Sequence, residues 1–310
     1  MTLPEDYLEY PRRRHGMDHD LYPWSSMFAR PKIAWPGGAK VALWITVSLE
    51  YFPLTPNDGP FRAPGHMVTP YPDYRTYTTR DYGNRVGIFR IFRVLDRLGL
   101  KASAPMNTAV AERYPTLAQE VTGRGWEVVA HGIDMNHIHY GGMEEAAERA
   151  QIEDAISRLR LRSATGATVR GWLSPARSQS ANTPQLLADC GLDYVCDWVN
   201  DDLPYAITAP AGELVSMPFA GDLEDRKLLI ELGHPEDTYA DELLDAFKLF
   251  HAEAERFGGR ILHLPLTPYV IGQPFRIQAL ESALGRILEH DGVWSATGAE
   301  IIDAWRAQAG

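Results

Sequence analysis

From residue 41 onward the chain alternates between short apolar runs and segments with helical spacing. That alternation constrains the fold more than any other feature. Residues 41–49 are apolar at almost every position, the pattern of a strand covered on both faces. Further strand-like runs fall at 102–105, 127–130, 169–173, 194–198, 215–218 and 260–266. Helical spacing falls at 84–98, 109–124, 144–162, 184–190, 239–257, 275–289 and 298–305. Strands and helices in this order predict an α/β fold with a parallel sheet, closed in the manner of a distorted (β/α) barrel. Polar clusters follow the strands, and the strand ends of a parallel barrel converge on one face, so these clusters are expected to share a pocket.

The 310 residues contain no internal repeat, low-complexity segment or mid-chain linker, which predicts a single domain over 39–310. Residues 1–38 read as an extended N-terminal arm, with Leu21, Tyr22, Trp24, Met27, Phe28 and Trp35 expected to be buried. Residues 51–82 read as a long ordered loop of the kind that often carries function. The formal charge of −11 disfavours nucleic acid and anionic membrane as partners. Cys190 and Cys196 fit no zinc or disulfide spacing and read as small core residues. No apolar run approaches a membrane span, and the first residues lack the pattern of a secretory signal, so a cytoplasmic address is expected. The tyrosine- and proline-rich arm suggests a homo-oligomer.

The richest cluster is Ala130-His131-Gly132-Ile133-Asp134-Met135-Asn136-His137-Ile138-His139, directly after a strand-like run. Histidine titrates near neutrality and ligates metals, so both proton transfer and metal binding are open to it. Glu50 ends the first buried run, where a carboxylate must be hydrated, paired or functional. Arg177, in the small polar loop after residue 173, is placed to hold a carboxylate or an anionic intermediate. Asp197, Asp201 and Asp202 crowd one segment, and one of them pairing with Arg177 is the structural alternative to catalysis. Arg85 opens a helix, against the macrodipole, which hints at an anionic partner. His15, Asp18, His19 and Asp20 of the arm read as pinning the arm rather than lining the site.

The ordered set of motifs resembles the polysaccharide deacetylase superfamily, and within it the branch of metal-independent allantoinases. It comprises Trp35-Pro36-Gly37-Gly38 leading to Glu50, Tyr82-Gly83-Asn84-Arg85-Val86-Gly87, Ala130-His131-Gly132, Gly171-Trp172 leading to Arg177, Asn200-Asp201-Asp202-Leu203-Pro204-Tyr205, and Ile271-Gly272-Gln273-Pro274. The resemblance implies hydrolysis of a non-peptide C–N bond. It also implies a divalent metal held by an aspartate and two histidines four apart, and a late histidine serving as general acid. Here Glu50 stands near the aspartate position, Met135 takes the second histidine's place, and Thr267 takes that of the late histidine. Threonine does not transfer that proton near neutral pH. His263, on the same strand face, lies deeper.

These readings predict a hydrolase of a small amide, ureide or cyclic imide that needs no metal cofactor. Its catalytic residues would be Glu50, His131, His137 or His139, and Arg177. Arg85, Asp201, Asp202, Thr267 and Tyr269 would bind the substrate. Two alternatives remain: a zinc-dependent deacetylase with Glu50, His131 and His137 or His139 as ligands, and a non-catalytic binding barrel.

Overall fold

The computed structural model describes residues 19–59, 69–162, 168–209 and 212–308; His15 and Asp18 lie outside them. The strands are β1 (Val41–Val47), β2 (Ser103–Met106), β3 (Glu127–Ala130), β4 (Gly171–Trp172), β5 (Tyr194–Val195), β6 (Tyr205–Ala209), β7 (Gly212–Ser216), β8 (Arg260–Leu266) and β9 (Val293–Ala296). They form one sheet in the order β6-β7-β5-β4-β3-β2-β1-β8, with β9 also paired to β1. Every pairing is parallel except β6–β7. The sheet curls into a half-barrel surrounded by helices, which is the deacetylase-type distorted barrel expected from the sequence.

Strand β1 explains the curl. All seven of its residues are buried, and they divide by parity between two cores. Val41, Leu43, Ile45 and Val47 pack with Ile88, Ile91 and Phe92 of the helix Ile88–Leu98, outside the sheet. Ala42 and Trp44 pack with Val129, Leu173 and Ile261 on the other face, where Ile33 and Trp35 of the arm join them. A strand apolar on both faces is therefore the centre of two packed layers. Each large side chain buried in this way contributes about 1.5–3 kcal/mol.

Several local readings need correction. The stretch 109–124 is two helices, Thr108–Arg113 and Pro115–Gly123, because proline disfavours helical geometry in Tyr114, the residue before it. The end of the presumed 51–82 loop is a helix, Tyr74–Tyr82, continued by a π-helical turn at Gly83–Gly87. Arg85 thus sits within a continuous helical run rather than at a helix start, and the macrodipole argument for an anionic partner does not apply to it. Strands β6 and β9 were not read from the sequence. In the arm, Ile33 and Trp35 are buried, whereas Trp24 and Phe28 are 75% and 72% exposed. The arm is held by polar and aromatic contacts: Thr208 N–H donates to the Leu21 carbonyl, Tyr22 packs on Trp198 and Tyr205, and Arg30 pairs with Asp201.

Candidate active site

Segments leaving the carboxyl ends of β1, β3, β4, β7 and β8 converge on a slot of about 60 Å³. Glu50, His131, Arg177, Thr267 and Tyr269 line it together, with Phe52 and Met135 as its apolar wall. Four strand ends are tied in register beneath it. Leu49 N–H donates to Pro105 O, Asn107 N–H to Leu49 O, His131 N–H to Met106 O, and Leu173 N–H to Ala130 O. Asn107 is fully buried and joins two of these ends by its side chain. Its Oδ1 accepts from Tyr51 N–H at 2.8 Å, and its Nδ2 donates to the His131 carbonyl.

His131 is 2% exposed, and its Nδ1 lies 2.7 Å from the Leu173 carbonyl. A carbonyl only accepts, so Nδ1 carries the hydrogen of that bond and Nε2 is the ring atom left to face the slot. That Nε2 is buried, has no hydrogen-bond partner among the described residues, and lies 3.5 Å from Glu50 Oε1. A buried polar atom in this state is costly unless something else occupies the space it faces, and here it faces a slot beside a carboxylate. Glu50 is one-fifth exposed.

Arg177 reaches the slot from a strained loop. Ala176 and Arg177 both have positive φ, 59° and 54°, a region that non-glycine residues occupy at a cost. Asp197 holds this loop rather than Arg177 itself, a correction to the pairing considered from the sequence. Its two oxygens accept from Ser174 N–H and Ser174 Oγ at 2.7 Å, and from Gln179 Nε2. Burial pushes the Asp197 carboxyl upward while those donors pull it down. Arg177 has no carboxylate within ion-pair distance among the described residues; it lies over the Phe219 ring at 4.9 Å. A Cβ on Gly221 would collide with its Nη1, so glycine there leaves the guanidinium its place.

Thr267 and Tyr269 are delivered by close backbone packing. A Cβ on Gly87 would collide with the Pro268 carbonyl, and one on Gly272 would lie 2.5 Å from Gly87 Cα. The two glycine-containing motifs are therefore the two sides of one contact, and that contact brings Tyr269 into the slot. His263 is stacked on Trp44 and uses both nitrogens: Nδ1 accepts from Ala220 N–H at 3.0 Å, and Nε2 lies 2.9 Å from Thr46 Oγ1. Burial, with Arg177 nearby, holds its pKa well below the ordinary histidine value.

The remaining sequence candidates lie elsewhere. His137 pairs with Asp134 at 2.7 Å in a loop whose backbone Asp134 also caps, and this pairing raises its pKa. His139 is 1% exposed and bonded to the fully buried Glu148, which also accepts from Ser180 and Thr183. Neither histidine lines the slot. Arg85 is 73% exposed and paired with Asp81. Asp201, paired with Arg30 at 2.5 Å, and Asp202 do not line the slot but do line a larger cavity that adjoins it.

Two charged slot residues escaped the sequence reading. Glu224 and Arg226 come from the irregular segment after β7, where no periodicity marks them; their side chains meet at 3.5 Å. Burial raises the Glu224 carboxyl, Glu50 adds to the shift, and Arg226 and Arg177 oppose it. Arg177, Phe219, Glu224 and Arg226 also line an adjoining cavity of about 490 Å³. That cavity occupies the seam between β7 and β8, which are not paired.

The donor set for a catalytic divalent ion is incomplete. Among the described residues no group of three His, Cys, Asp or Glu side chains is placed to hold an ion. His131 and Glu50 face each other, but Met135, where the resemblance implies a second histidine, is a thioether buried with Phe52 and Ile138.

The fold is of the polysaccharide deacetylase type. A polysaccharide deacetylase family model matches residues 70–195. A "Putative polysaccharide deacetylase" of Schizosaccharomyces pombe is 24% identical over 298 residues, 88% of this chain and 92% of that protein. Among solved structures, PuuE allantoinase is similar at a TM-score of 0.82 and 25% identity, over 97% of this chain and 99% of that one. A probable polysaccharide deacetylase from Pseudomonas aeruginosa PAO1 superposes at a TM-score of 0.80 with 24% identity, over 93% of this chain and 99% of that one. Among the described residues no helix is long and apolar enough to cross a membrane.

Proposed function

We propose that this protein hydrolyses a non-peptide C–N bond in a small amide, ureide or cyclic imide, without a catalytic metal. One observation carries the reading: the buried, unpartnered Nε2 of His131 aimed at Glu50 across a slot that also receives Arg177. Water between Nε2 and the Glu50 carboxylate would give its proton to this pair as its oxygen bonds to the substrate carbonyl carbon. Arg177 would stabilise the negative charge that develops on the carbonyl oxygen, or hold a neighbouring carboxylate. The names of the similar proteins, deacetylases and an allantoinase, support C–N hydrolysis in general. The narrow slot and the Met135 wall favour a compact reacting group and a reaction free of metal.

The test is hydrolysis of allantoin, hydantoin, succinimide and an N-acetylglucosamine oligomer before and after exhaustive chelation. Turnover of a ureide or imide that survives chelation supports the reading. Turnover only of the sugar, lost on chelation and restored by zinc, overturns it in favour of metal-dependent deacetylation.

A further inference from the structure

The Glu50–His131 pair takes a proton from water, but C–N cleavage also requires a proton on the departing nitrogen. Apart from His131, which works with Glu50 on the water, none of the histidines singled out by the sequence is placed to supply it. His137 and His139 are outside the slot, and both nitrogens of His263 are already bonded. Among the slot's own residues, Ser48 and Thr267 have hydroxyls too weakly acidic for the task. Burial drives the Tyr269 phenol further upward still. Arg177 and Arg226 do not release a proton in proteins.

Glu224 remains, and the backbone fixes its place in the slot. Asp225, next in sequence and fully buried, accepts from Thr267 N–H at 2.8 Å and from Ile271 N–H at 3.3 Å with one oxygen. Its other oxygen accepts from Arg226 N–H at 2.7 Å. The turn carrying Glu224 is thereby fastened to the end of β8, and its side chain shares the slot with Glu50. We infer that Glu224 is the general acid of this site, donating its carboxyl proton to the leaving nitrogen. This rests on the hydrolase reading above.

The step balances without a co-reactant. Water oxygen bonds to the carbonyl carbon while one water proton passes to the Glu50–His131 pair. The C–N bond breaks, and the Glu224 O–H proton goes to nitrogen. The proton held by Glu50–His131 then returns to Glu224 through solvent, so one water is consumed. Two carboxyls in one small buried space favour a division in which one is ionised and the other protonated. Burial raises the Glu224 carboxyl and Glu50 adds to the rise, while Arg226, 3.5 Å away, and Arg177 oppose it.

Two measurements on the full chain test this. Infrared difference spectroscopy at pH 7 between wild type and Glu224→Gln should show a protonated-carboxyl band lost in the variant. Asp225, whose carboxyl Glu224 helps to raise, is controlled by the same pair of spectra in an Asp225→Asn background, where the band should still be lost. No lost band overturns the inference whatever the substrate. Second, kcat on allantoin, hydantoin or succinimide should fall about 10²–10⁴-fold in Glu224→Gln with KM little changed. Glu224→Ala should show the same loss, and both variants should melt as wild type does. Retained kcat with wild-type turnover intact overturns the inference alone. No turnover of any of the three by wild type overturns the hydrolase reading and this inference with it.

Discussion

His131 Nε2 stands 3.5 Å from Glu50 Oε1, although the two residues close strands that are not neighbours: β2 separates β1 from β3. The curl of the sheet brings their side chains together across the end of β2, and Asn107, at that end, fixes both. Under the proposed mechanism, Glu50→Gln and His131→Ala should each lower kcat by at least about 10²-fold while the far-ultraviolet circular dichroism spectrum is unchanged. Wild-type rates in either variant would remove the pair from the chemistry.

Asn107→Ala should act by misplacement rather than by removing a reacting group. It leaves Tyr51 N–H and the His131 carbonyl unpaired in a buried place, a destabilisation of about 1–3 kcal/mol. We expect a lower melting temperature and a reduced kcat with KM less affected. A rise in KM alone, at unchanged kcat, would indicate that Asn107 does not align the pair.

Gly221→Ala places a methyl group where the Arg177 guanidinium lies. The guanidinium is the far end of a flexible side chain, so the fold should tolerate the change while the cation is pushed aside. Activity should drop with stability nearly constant. The complementary change, Arg177→Gly, should relieve the strained backbone at φ 54° and yet abolish activity. Thermal melts beside kinetics check both; an active Arg177→Gly would refute a role for the guanidinium.

The two other histidines of the 131–139 segment should separate cleanly. His137→Ala removes a partly exposed partner of Asp134 and should leave turnover near wild type. His139→Ala leaves Glu148, Ser180 and Thr183 with an incomplete buried network, a cost of about 1–3 kcal/mol. Denaturant titration distinguishes them. Loss of turnover in a stably folded His137→Ala would return that residue to the site.

Asp225 gives stability a pH dependence. Burial raises its carboxyl from the ordinary 3.8 to about 8 in the folded chain, so the folded state binds a proton that the unfolded state has released. Its contribution is present at or below about pH 4 and is lost as pH rises toward about 8. The slope is at most about 1.4 kcal/mol per pH unit. Asp225→Asn should flatten this part of the stability curve. Urea unfolding of both proteins at pH 5, 6.5 and 8 is the measurement, and parallel curves would contradict the assignment.

The sequence by itself determined the parallel α/β framework, because strand and helix periods differ and their alternation is local. The bounds of β8, Arg260–Leu266, could be read directly, since Ile261–Leu266 is apolar except at His263 and two glycines precede the run. The motifs ending in Glu50, His131, Arg177 and Thr267 were legible for the same reason: each immediately follows a strand, and parallel strands end on one side. What only tertiary structure decided was which polar residues turn inward. His131, His137 and His139 are equivalent as letters, yet hydrogen bonds to Leu173, Asp134 and Glu148, each formed by different folding of one short loop, send them to three environments. Glu224 and Arg226 carried no periodic signal at all. Their place depends on Asp225 gripping backbone amides 42 and 46 residues further along the chain. Such long-range polar closure leaves no trace in local spacing, because it is set by where the sheet curls and not by the segment itself.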